Sequence, residues 1–212
     1  MAQEKLSQLL SQNPYAFIGE ETAFRSAVLL PLIRVAGEWH VLFEQRSTKL
    51  TKQPGDISFP GGRIDREDAS PMAAAVRETA EELLIDPRQI HVLGALPPYI
   101  TTPSFVIYPF VGVVDYDIAS HSFSREEVAE VFTVPLSWLM GYEPHRHVVP
   151  LTPSPNSDFP FEKIVNGKNY QWRTRSMEQW FYDYENRTIW GLTARILKHF
   201  VDLLKDQDGV LF

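Results

Sequence analysis

Segment 61–85 constrains this chain more than any other part, because a glycine-rich loop leads into a predicted helix that carries three glutamates. Glu78, Glu81 and Glu82 stand at positions i, i+3 and i+4, so a helix would place their Cβ atoms on one side, about 5 to 6 Å apart. Like charges this close repel one another unless a cation neutralises them. The spacing therefore favours a divalent-cation site, although a solvated, glutamate-rich helix face is the ordinary alternative.

The loop before the helix strengthens the metal interpretation. Residues 59–62, Phe-Pro-Gly-Gly, allow a close backbone approach and can present carbonyl oxygens or amides to an ion or a phosphate. Carboxylate oxygens select Mg²⁺ or Mn²⁺, and Mg²⁺ prefers a few carboxylates together with substrate phosphates. Arg77, four residues before Glu81, can orient a ligand through an ion pair. Together these features indicate phosphate chemistry.

Composition limits the other classes of protein. With 212 residues, 44% of them hydrophobic, the chain can form one well-packed domain, or one domain with an extension. The absence of cysteine excludes disulfides and thiolate metal sites and fits a reducing compartment. The N-terminal residues do not resemble a secretory signal, and no apolar run approaches the roughly 20 residues that span a bilayer. We therefore expect a cytoplasmic protein with no membrane partner.

The charge balance bears on the substrate. A net charge of −7 makes nonspecific nucleic-acid binding a poor expectation. An acidic protein that handles an anionic substrate needs a local basic patch or bridging metal ions.

Hydrophobic patterns predict strands mixed with a few helices. Strands 26–35 and 39–46 should form a hairpin around Gly37. Further strands are predicted at 90–96, 105–115, 127–134 and 178–184. Helices are predicted at 3–12, 71–85, 137–140 and 188–205. Segments 47–69 and 144–160 are predicted loops, and a second hairpin is predicted from 159–165 and 169–174. This mixture favours a single α/β (α+β) domain.

The acidic helix and its loop match a known pattern. Gly62 is followed after five residues by Asp68, and after eight more by 77–85, Arg-Glu-Thr-Ala-Glu-Glu-Leu-Leu-Ile. This resembles the box of the Nudix hydrolases: Gly, five residues, Glu, seven residues, then Arg-Glu-apolar-any-Glu-Glu-any-Gly-apolar. Asp68 replaces the first Glu, one residue is inserted before Arg77, and Thr79 takes an apolar position. Leu84 stands where Gly is usual, so we expect it to reshape the helix end but not the metal site.

Two of these departures resemble the coenzyme A pyrophosphatase branch of the family, namely the Asp and the inserted residue. That branch has an upstream signature of Arg-Ser, two residues, Leu, four residues, Gly, three residues, Phe-Pro-Gly-Gly. Residues 46–62 match it in register, with Gln53 where the branch often has His. Segments 126–136 and 189–193 resemble later parts of the family, so the resemblance covers about 25–205.

The resemblance implies a fold and a domain organisation. The expected fold is a Nudix-like mixed β-sheet sandwiched between helices. The expected organisation is a single Nudix hydrolase domain over 1–212, with a short N-terminal helical extension at about 1–20 and a C-terminal helix at 188–205.

The resemblance also implies roles for the box residues. Glu78 and Glu82 would bind the metal directly, the Gly61 carbonyl would add a ligand, and Arg77 would orient the carboxylates. Glu81 would be a third ligand or a base. A carboxylate after the box often serves as base or extra ligand in the family. Two residues are candidates for it, Glu127 first and Glu126 second, and an ordinary surface charge is an equal alternative for Glu127.

The branch further implies coenzyme A as the substrate, whose 3′-phosphate needs cations. Arg46, Lys49, Lys52 and Arg63 form the candidate group, although Lys49 and Lys52 could equally be solubility charges. One of the late aromatic residues could stack on adenine, but core packing is favoured for them.

Three functional hypotheses follow. The first is metal-dependent hydrolysis of the diphosphate bond of coenzyme A or acyl-coenzyme A, to 3′,5′-ADP and 4′-phosphopantetheine. The second is a Nudix diphosphatase for another nucleoside diphosphate derivative, such as ADP-ribose or a dinucleotide. The third is a non-catalytic binding module, which the presence of all three box glutamates disfavours. A homodimer is left open.

Overall fold

The computed structural model describes residues 2–11, 17–102, 104–120 and 122–206. The described residues form two compact units, 1–139 and 140–212. The helices are α1 (Ala2–Ser11), α2 (Pro71–Leu83), α3 (Leu136–Gly141) and α4 (Gly191–Lys205). The strands are β1 (Phe24–Val35), β2 (Glu38–Arg46), β3 (Ile57–Ser58), β4 (Gly61–Arg63), β5 (Ile90–Ala95), β6 (Tyr99–Thr102), β7 (Phe105–Val114), β8 (Val128–Pro135), β9 (His145–Leu151), β10 (Arg175–Tyr184) and β11 (Arg187–Trp190).

The first unit is built on a mixed sheet. Strands run in the order β3-β2-β1-β7-β5, with β4 on β1, β6 on β7 and β8 on β2. Only the β1–β7 pair is parallel among the pairings of this sheet's described strands. The near-continuous apolar run of β1 reflects its place in the centre of the sheet, where both faces are covered.

Helix α2 packs on this sheet through small and apolar residues. Ala74 and Ala75 meet Ala27 of β1, while Ala80 and Leu83 join the larger core cluster. Small side chains at these positions bring the helix close to β1 and β4, which is where the glycine-rich loop lies. The remaining buried members of the larger cluster are Leu29, Ile33, Leu42, Ile90, Val114 and Tyr116.

The ends of α2 follow local rules, with one surprise. Ser70 caps the N-terminus by accepting a hydrogen bond from the amide of Ala73, as its sequence position predicts. At the C-terminus, Leu84 adopts the left-handed conformation, φ 51°, that glycine favours. Its amide and that of Ile85 both donate to the Ala80 carbonyl, which closes the helix. The helix end is therefore not reshaped, contrary to expectation. Leu84 adopts the conformation that glycine would have, and its side chain is exposed.

The second unit is a three-stranded antiparallel sheet, in the order β11-β10-β9, with α4 packed against β10 and β11. The helix buries its apolar stripe, Ala194, Ile196, Leu197, Phe200 and Val201. The edge strand β9 of this sheet is exposed along its whole length.

Three predictions are wrong in this unit. Segment 144–160 was expected to be a loop, but its first part pairs with β10 as β9, because cross-strand bonds outweigh its Pro- and His-rich composition. The predicted hairpin at 159–174 is replaced by two 3₁₀ turns, Phe161–Lys163 and Gly167–Asn169. The C-terminal helix begins at Gly191 and not at 188, since Arg187–Trp190 pairs with β10.

Most other predictions hold. The α/β (α+β) class with a mixed sheet is confirmed, as is the first hairpin. The N-terminal helix is present as Ala2–Ser11, whereas position 12 and the rest of the extension up to 16 fall outside the described residues. The single-domain organisation stays a prediction. Among the described helices, none is long and apolar enough to cross a membrane.

Candidate active site

Two glycines let β4 approach both β1 and α2 closely. Gly61 lies opposite Val28 with φ +147°, and a Cβ there would overlap the Ala27 carbonyl oxygen. A Cβ on Gly62 would overlap the carboxyl group of Glu78. A larger residue at Gly61 would push β4 away from β1, and one at Gly62 would collide with Glu78, so Gly62 determines how near the acidic helix comes to the loop.

Glu82 is the most enclosed of the three box glutamates. Its side chain is buried, and its Oε2 accepts a hydrogen bond of 2.8 Å from the amide of Gly61. Burial raises the pKa of Glu82 well above its ordinary value, and nearby negative charges add to the rise, that of Glu44 most and that of Glu78 next. This carboxyl is held in place with no neutralising side chain bonded to it among the described residues.

Glu44, on β2, lies within electrostatic reach of Glu82 and is 1% exposed. Its Oε1 accepts a 3.1 Å hydrogen bond from Ser58 Oγ, while its Oε2 is buried and has no hydrogen-bond partner among the described residues. Burial raises the pKa of Glu44 to about 7, against the hydrogen bond from Ser58 and the charge of Arg46. The negative charges of Glu127 and Glu78 contribute to this rise.

Glu78 is half-buried beside Gly62. Burial raises its pKa, and the ion pair with Arg77, 2.9 Å between Nη1 and Oε1, opposes that rise. Glu78 therefore has one positively charged partner, Arg77, while the carboxylates of Glu81 and Glu127 raise its pKa.

Arg77 connects the acidic residues of the loop and the helix. It binds Asp68 with two hydrogen bonds, Nε to Oδ1 at 3.0 Å and Nη2 to Oδ2 at 2.9 Å. It also contacts Glu78 and Glu81 and donates to the Arg63 carbonyl. These bonds hold the pKa of Asp68 below its usual range and raise that of Arg77. The fork geometry lets one guanidinium fix the loop relative to the helix, as expected for an orienting residue.

Glu81 and Glu127 are both exposed but lie on different parts of the chain. The Glu81 side chain is 58% exposed and bonds Arg77 at 3.2 Å. Glu127 lies in a turn held on both sides: the amide of Ser124 donates to the Glu82 carbonyl at 2.8 Å, and the amide of Ser47 donates to the Glu127 carbonyl at 2.7 Å. The charge of Glu127 raises the pKa of Glu44, Glu78 and Glu82, whereas Glu126 has no part in these rises.

The described residues hold no group of three or more His, Cys, Asp or Glu side chains already arranged around a metal position. Glu78 is paired with Arg77, and Glu82 accepts a hydrogen bond from the Gly61 amide. The donor set nevertheless fits a hard divalent cation: it consists of carboxylate oxygens, one of which, Glu44 Oε2, is buried without a donor. In this arrangement Gly61 offers its amide to Glu82, a role the sequence did not predict.

The predicted basic group divides in two. Lys52 and Arg63 converge on the ring of Phe24, with the Nζ and Cζ atoms 6.0 and 5.7 Å from its centroid. Lys49 is exposed in the same loop with no such contact described, and Arg46 is half-buried, with its charge directed at Glu44.

Two residues of this region escaped sequence reasoning. Glu44 gave one available signal, an acidic residue directly after the buried run Val41 to Phe43. Phe24 gave none, because only the pairing of β1 with β4 brings its half-exposed ring to Arg63.

Loose structural likenesses exist to two solved proteins. One is an Ap4A hydrolase binary complex of C. elegans, with a TM-score of 0.44 and 20% identity, covering 56% of this chain and 85% of that one. The other is the NUDIX domain of Shewanella oneidensis NrtR complexed with ADP ribose, also with a TM-score of 0.44 and 20% identity, covering 65% and 87%.

Sequence comparison is more decisive. The NUDIX domain model matches residues 23–152. The uncharacterized Nudix hydrolase NudL of Citrobacter koseri is 34% identical over 174 residues, which cover 82% of this chain and 79% of NudL. NudL of Klebsiella pneumoniae is 32% identical over the same shares. With Glu78 and Glu82 lying against the glycine loop, these matches establish that the chain belongs to the Nudix hydrolases, enzymes that act on pyrophosphate bonds.

Proposed function

We propose that this enzyme hydrolyses the diphosphate bond of coenzyme A or an acyl-coenzyme A, with Mg²⁺ or Mn²⁺, to 3′,5′-ADP and 4′-phosphopantetheine. The observation that carries the substrate is the pair of cations, Lys52 and Arg63, on the ring of Phe24. Coenzyme A carries an adenine and a 3′-phosphate on one side of its diphosphate, so it needs an aromatic surface and cations at one place.

The position of Lys52, Arg63 and Phe24 suits coenzyme A as the substrate. Arg63 follows Gly61 by two residues in β4, which corresponds to about 7 Å of strand. A nucleotide whose diphosphate lies at the Gly61 loop could therefore extend along β4 towards Phe24. The guanidinium can bind a phosphate with two hydrogen bonds, and an exposed ring can stack on a base.

The loop that carries Lys52 is held at its base. The amide of Gly55 donates to the Arg46 carbonyl at 3.1 Å, and the amide of Arg46 donates to the Asp56 carbonyl at 2.9 Å. Gly55 has φ +80°, a conformation that favours glycine. These bonds form within residues 46–62, the segment that resembles the coenzyme A pyrophosphatase signature, and they support its use as a substrate-binding loop.

The chain's own residues suggest a division of labour. Glu78 and Glu82 would hold the cation with the Gly61 backbone nearby, and Arg77 would keep Glu78 oriented. The cation supplies charge neutralisation for the diphosphate oxygens. Glu127 would take the proton from the water whose oxygen attacks phosphorus, while the P–O bond of the anhydride breaks and the leaving phosphate takes the electron pair. Glu81, exposed and paired with Arg77, would act on the rim of the site.

The decisive experiment is a substrate panel with product identification by mass spectrometry, run with Mg²⁺ and with Mn²⁺. Coenzyme A should be cleaved with a higher kcat/KM than dephospho-coenzyme A, ADP-ribose or a dinucleotide. Replacing both Lys52 and Arg63 by Gln should reduce the preference for the 3′-phosphate about tenfold or more, mainly through KM. Lys49→Gln, in the same loop but away from Phe24, is the matched control and should leave the preference unchanged.

Other outcomes would redirect the proposal. Equal rates for coenzyme A and dephospho-coenzyme A would remove the 3′-phosphate argument. A preference for ADP-ribose or a dinucleotide would identify a different nucleoside diphosphate derivative as substrate. No hydrolysis of any compound with either metal would favour a non-catalytic binding module.

A further inference from the structure

One buried acidic residue, Glu44, has no role in the reaction proposed for this enzyme. Glu44 is 1% exposed, and the strand that carries it is held on both edges: Glu44 pairs with Ser58 of β3 on one side and with Val131 of β8 on the other. Its side chain therefore projects from a rigid part of the sheet, and its position does not depend on a loop.

The surroundings of this carboxyl group do not satisfy it. Ser58 donates to Oε1, and Oε2 has no donor among the described residues. The titratable groups that act on it are the cation Arg46 and the carboxylates Glu78, Glu82 and Glu127. A buried carboxylate is costly unless it is paired or binds a metal, and Glu44 has more negative than positive neighbours.

The same pattern appears from the side of Glu82. Among the charges near Glu82, that of Glu44 acts on it most strongly. Two acidic groups from different elements, β2 and α2, are thus both buried and within electrostatic reach of each other. One of them has an oxygen that no donor among the described residues satisfies. A fold gains no stability from such a pair, whereas a divalent cation between them would satisfy both.

We propose that Glu44 belongs to the divalent-cation site and directs its unsatisfied Oε2 at the cation held by Glu78 and Glu82. This inference rests on the metal dependence proposed above. It adds a ligating or charge-supplying residue from outside the box helix, on a strand that precedes the box by more than a dozen residues of chain.

The test measures metal binding apart from catalysis. Mn²⁺ is titrated into wild-type protein and into Glu44→Gln, and free Mn²⁺ is followed by electron paramagnetic resonance. The variant should bind Mn²⁺ about tenfold more weakly or worse, as when a group supporting a metal ligand is lost. Its Tm without metal should equal or exceed that of wild type, and Mn²⁺ should raise that Tm less. Glu38→Gln, at the exposed start of the same strand, is the matched control and should change neither quantity.

A second variant, Ser58→Ala, removes the donor to Oε1 and keeps the charge. It should weaken Mn²⁺ binding by less than Glu44→Gln does. Unchanged Mn²⁺ affinity in Glu44→Gln overturns the inference, and so does a metal-free variant that fails to fold or melts well below wild type, because Glu44 would then serve the fold. Wild-type protein that binds no Mn²⁺ would instead refute the metal dependence of the proposed function. Wild type that binds Mn²⁺ and hydrolyses substrate while Glu44→Gln binds equally well would refute only the role of Glu44.

Discussion

Two acidic regions of this protein are built in opposite ways. In the second unit, Glu178 is partly exposed and forms ion pairs with Arg146 and Arg195, whose hydrogen bonds lower its pKa. In the first unit, Glu44 and Glu82 are buried, and burial followed by neighbouring charge raises their pKa. The cluster around Glu178 is self-sufficient, since each charge has a partner within the chain. The buried acidic cluster of the first unit has fewer positive than negative charges, which is what a site for an external cation requires.

The largest expected effect comes from mutating Glu82 in the buried acidic cluster of the first unit. Glu82→Gln removes one negative charge but keeps the size of the side chain and its hydrogen bond to Gly61. Activity and Mn²⁺ affinity should both fall by on the order of a hundredfold or more, because a direct ligand is lost. Steady-state kinetics and a Mn²⁺ titration would measure this, and full activity in the variant would refute the metal assignment.

A pH series should distinguish the two regions without mutation. Glu44 has its pKa raised from 4.5 to about 7, so the folded protein binds a proton there that the unfolded chain has released. That contribution to stability is complete below about pH 4.5 and is lost as the pH rises towards 7. The Tm of the metal-free protein should therefore fall across this interval, as measured by circular dichroism in the presence of a chelator.

The control for this series is Glu44→Gln, in which the fall should be smaller. Saturating Mg²⁺ should also reduce it, because the cation stabilises the ionised carboxylates. A Tm that rises steadily over the same interval in the metal-free protein would contradict the burial of unpaired acid groups.

A smaller effect should separate the helix end from the site. Leu84 has a left-handed backbone conformation, which is unfavourable for a residue with a Cβ atom. Its side chain is exposed. Leu84→Gly should raise the free energy of unfolding by about 1 kcal/mol, measured by urea denaturation, and leave kcat/KM unchanged. A loss of activity would show that the helix end acts on the metal site. Leu93→Gly, at an exposed position in β5, is the contrasting control and should destabilise the protein.

The smallest effect belongs to the self-sufficient region. Glu178→Gln removes a partly exposed charge from a cluster that water already screens. Tm, Mn²⁺ affinity and kcat/KM should all stay within experimental error of wild type. A clear loss of activity in this variant would instead make the second unit part of catalysis.

Local patterns were sufficient for much of the fold. The hairpin of β1 and β2, the limits of α2 and the mixed class follow from turn residues, a capping serine and apolar periodicity. Prediction failed for β9, whose pairing partner β10 lies far along the chain, and for β11, which was predicted as the start of the C-terminal helix. β9 and β11 are strands because β10 lies between them, and neither segment carries that information in its own composition.

In the candidate site, too, local spacing predicts one part and the packed fold determines the rest. The spacing of Glu78, Glu81 and Glu82 predicts an acidic helix face, but it makes the three glutamates equivalent. The structure makes them different: Glu82 is buried on Gly61, Glu78 is half-buried beside Arg77, and Glu81 is largely exposed. Burial depends on how closely the strand approaches the helix, which is a property of the packed fold.

The sequence by itself determined the family, the acidic helix and the glycines that allow close approach, because these depend on residues near one another along the chain. The tertiary structure decided that Glu44 joins the carboxylates and that Lys52 and Arg63 meet at Phe24. Those groupings come from the lateral order of β4, β1 and β2 in the sheet. Sheet order brings together residues from separate strands, and no local periodicity encodes it.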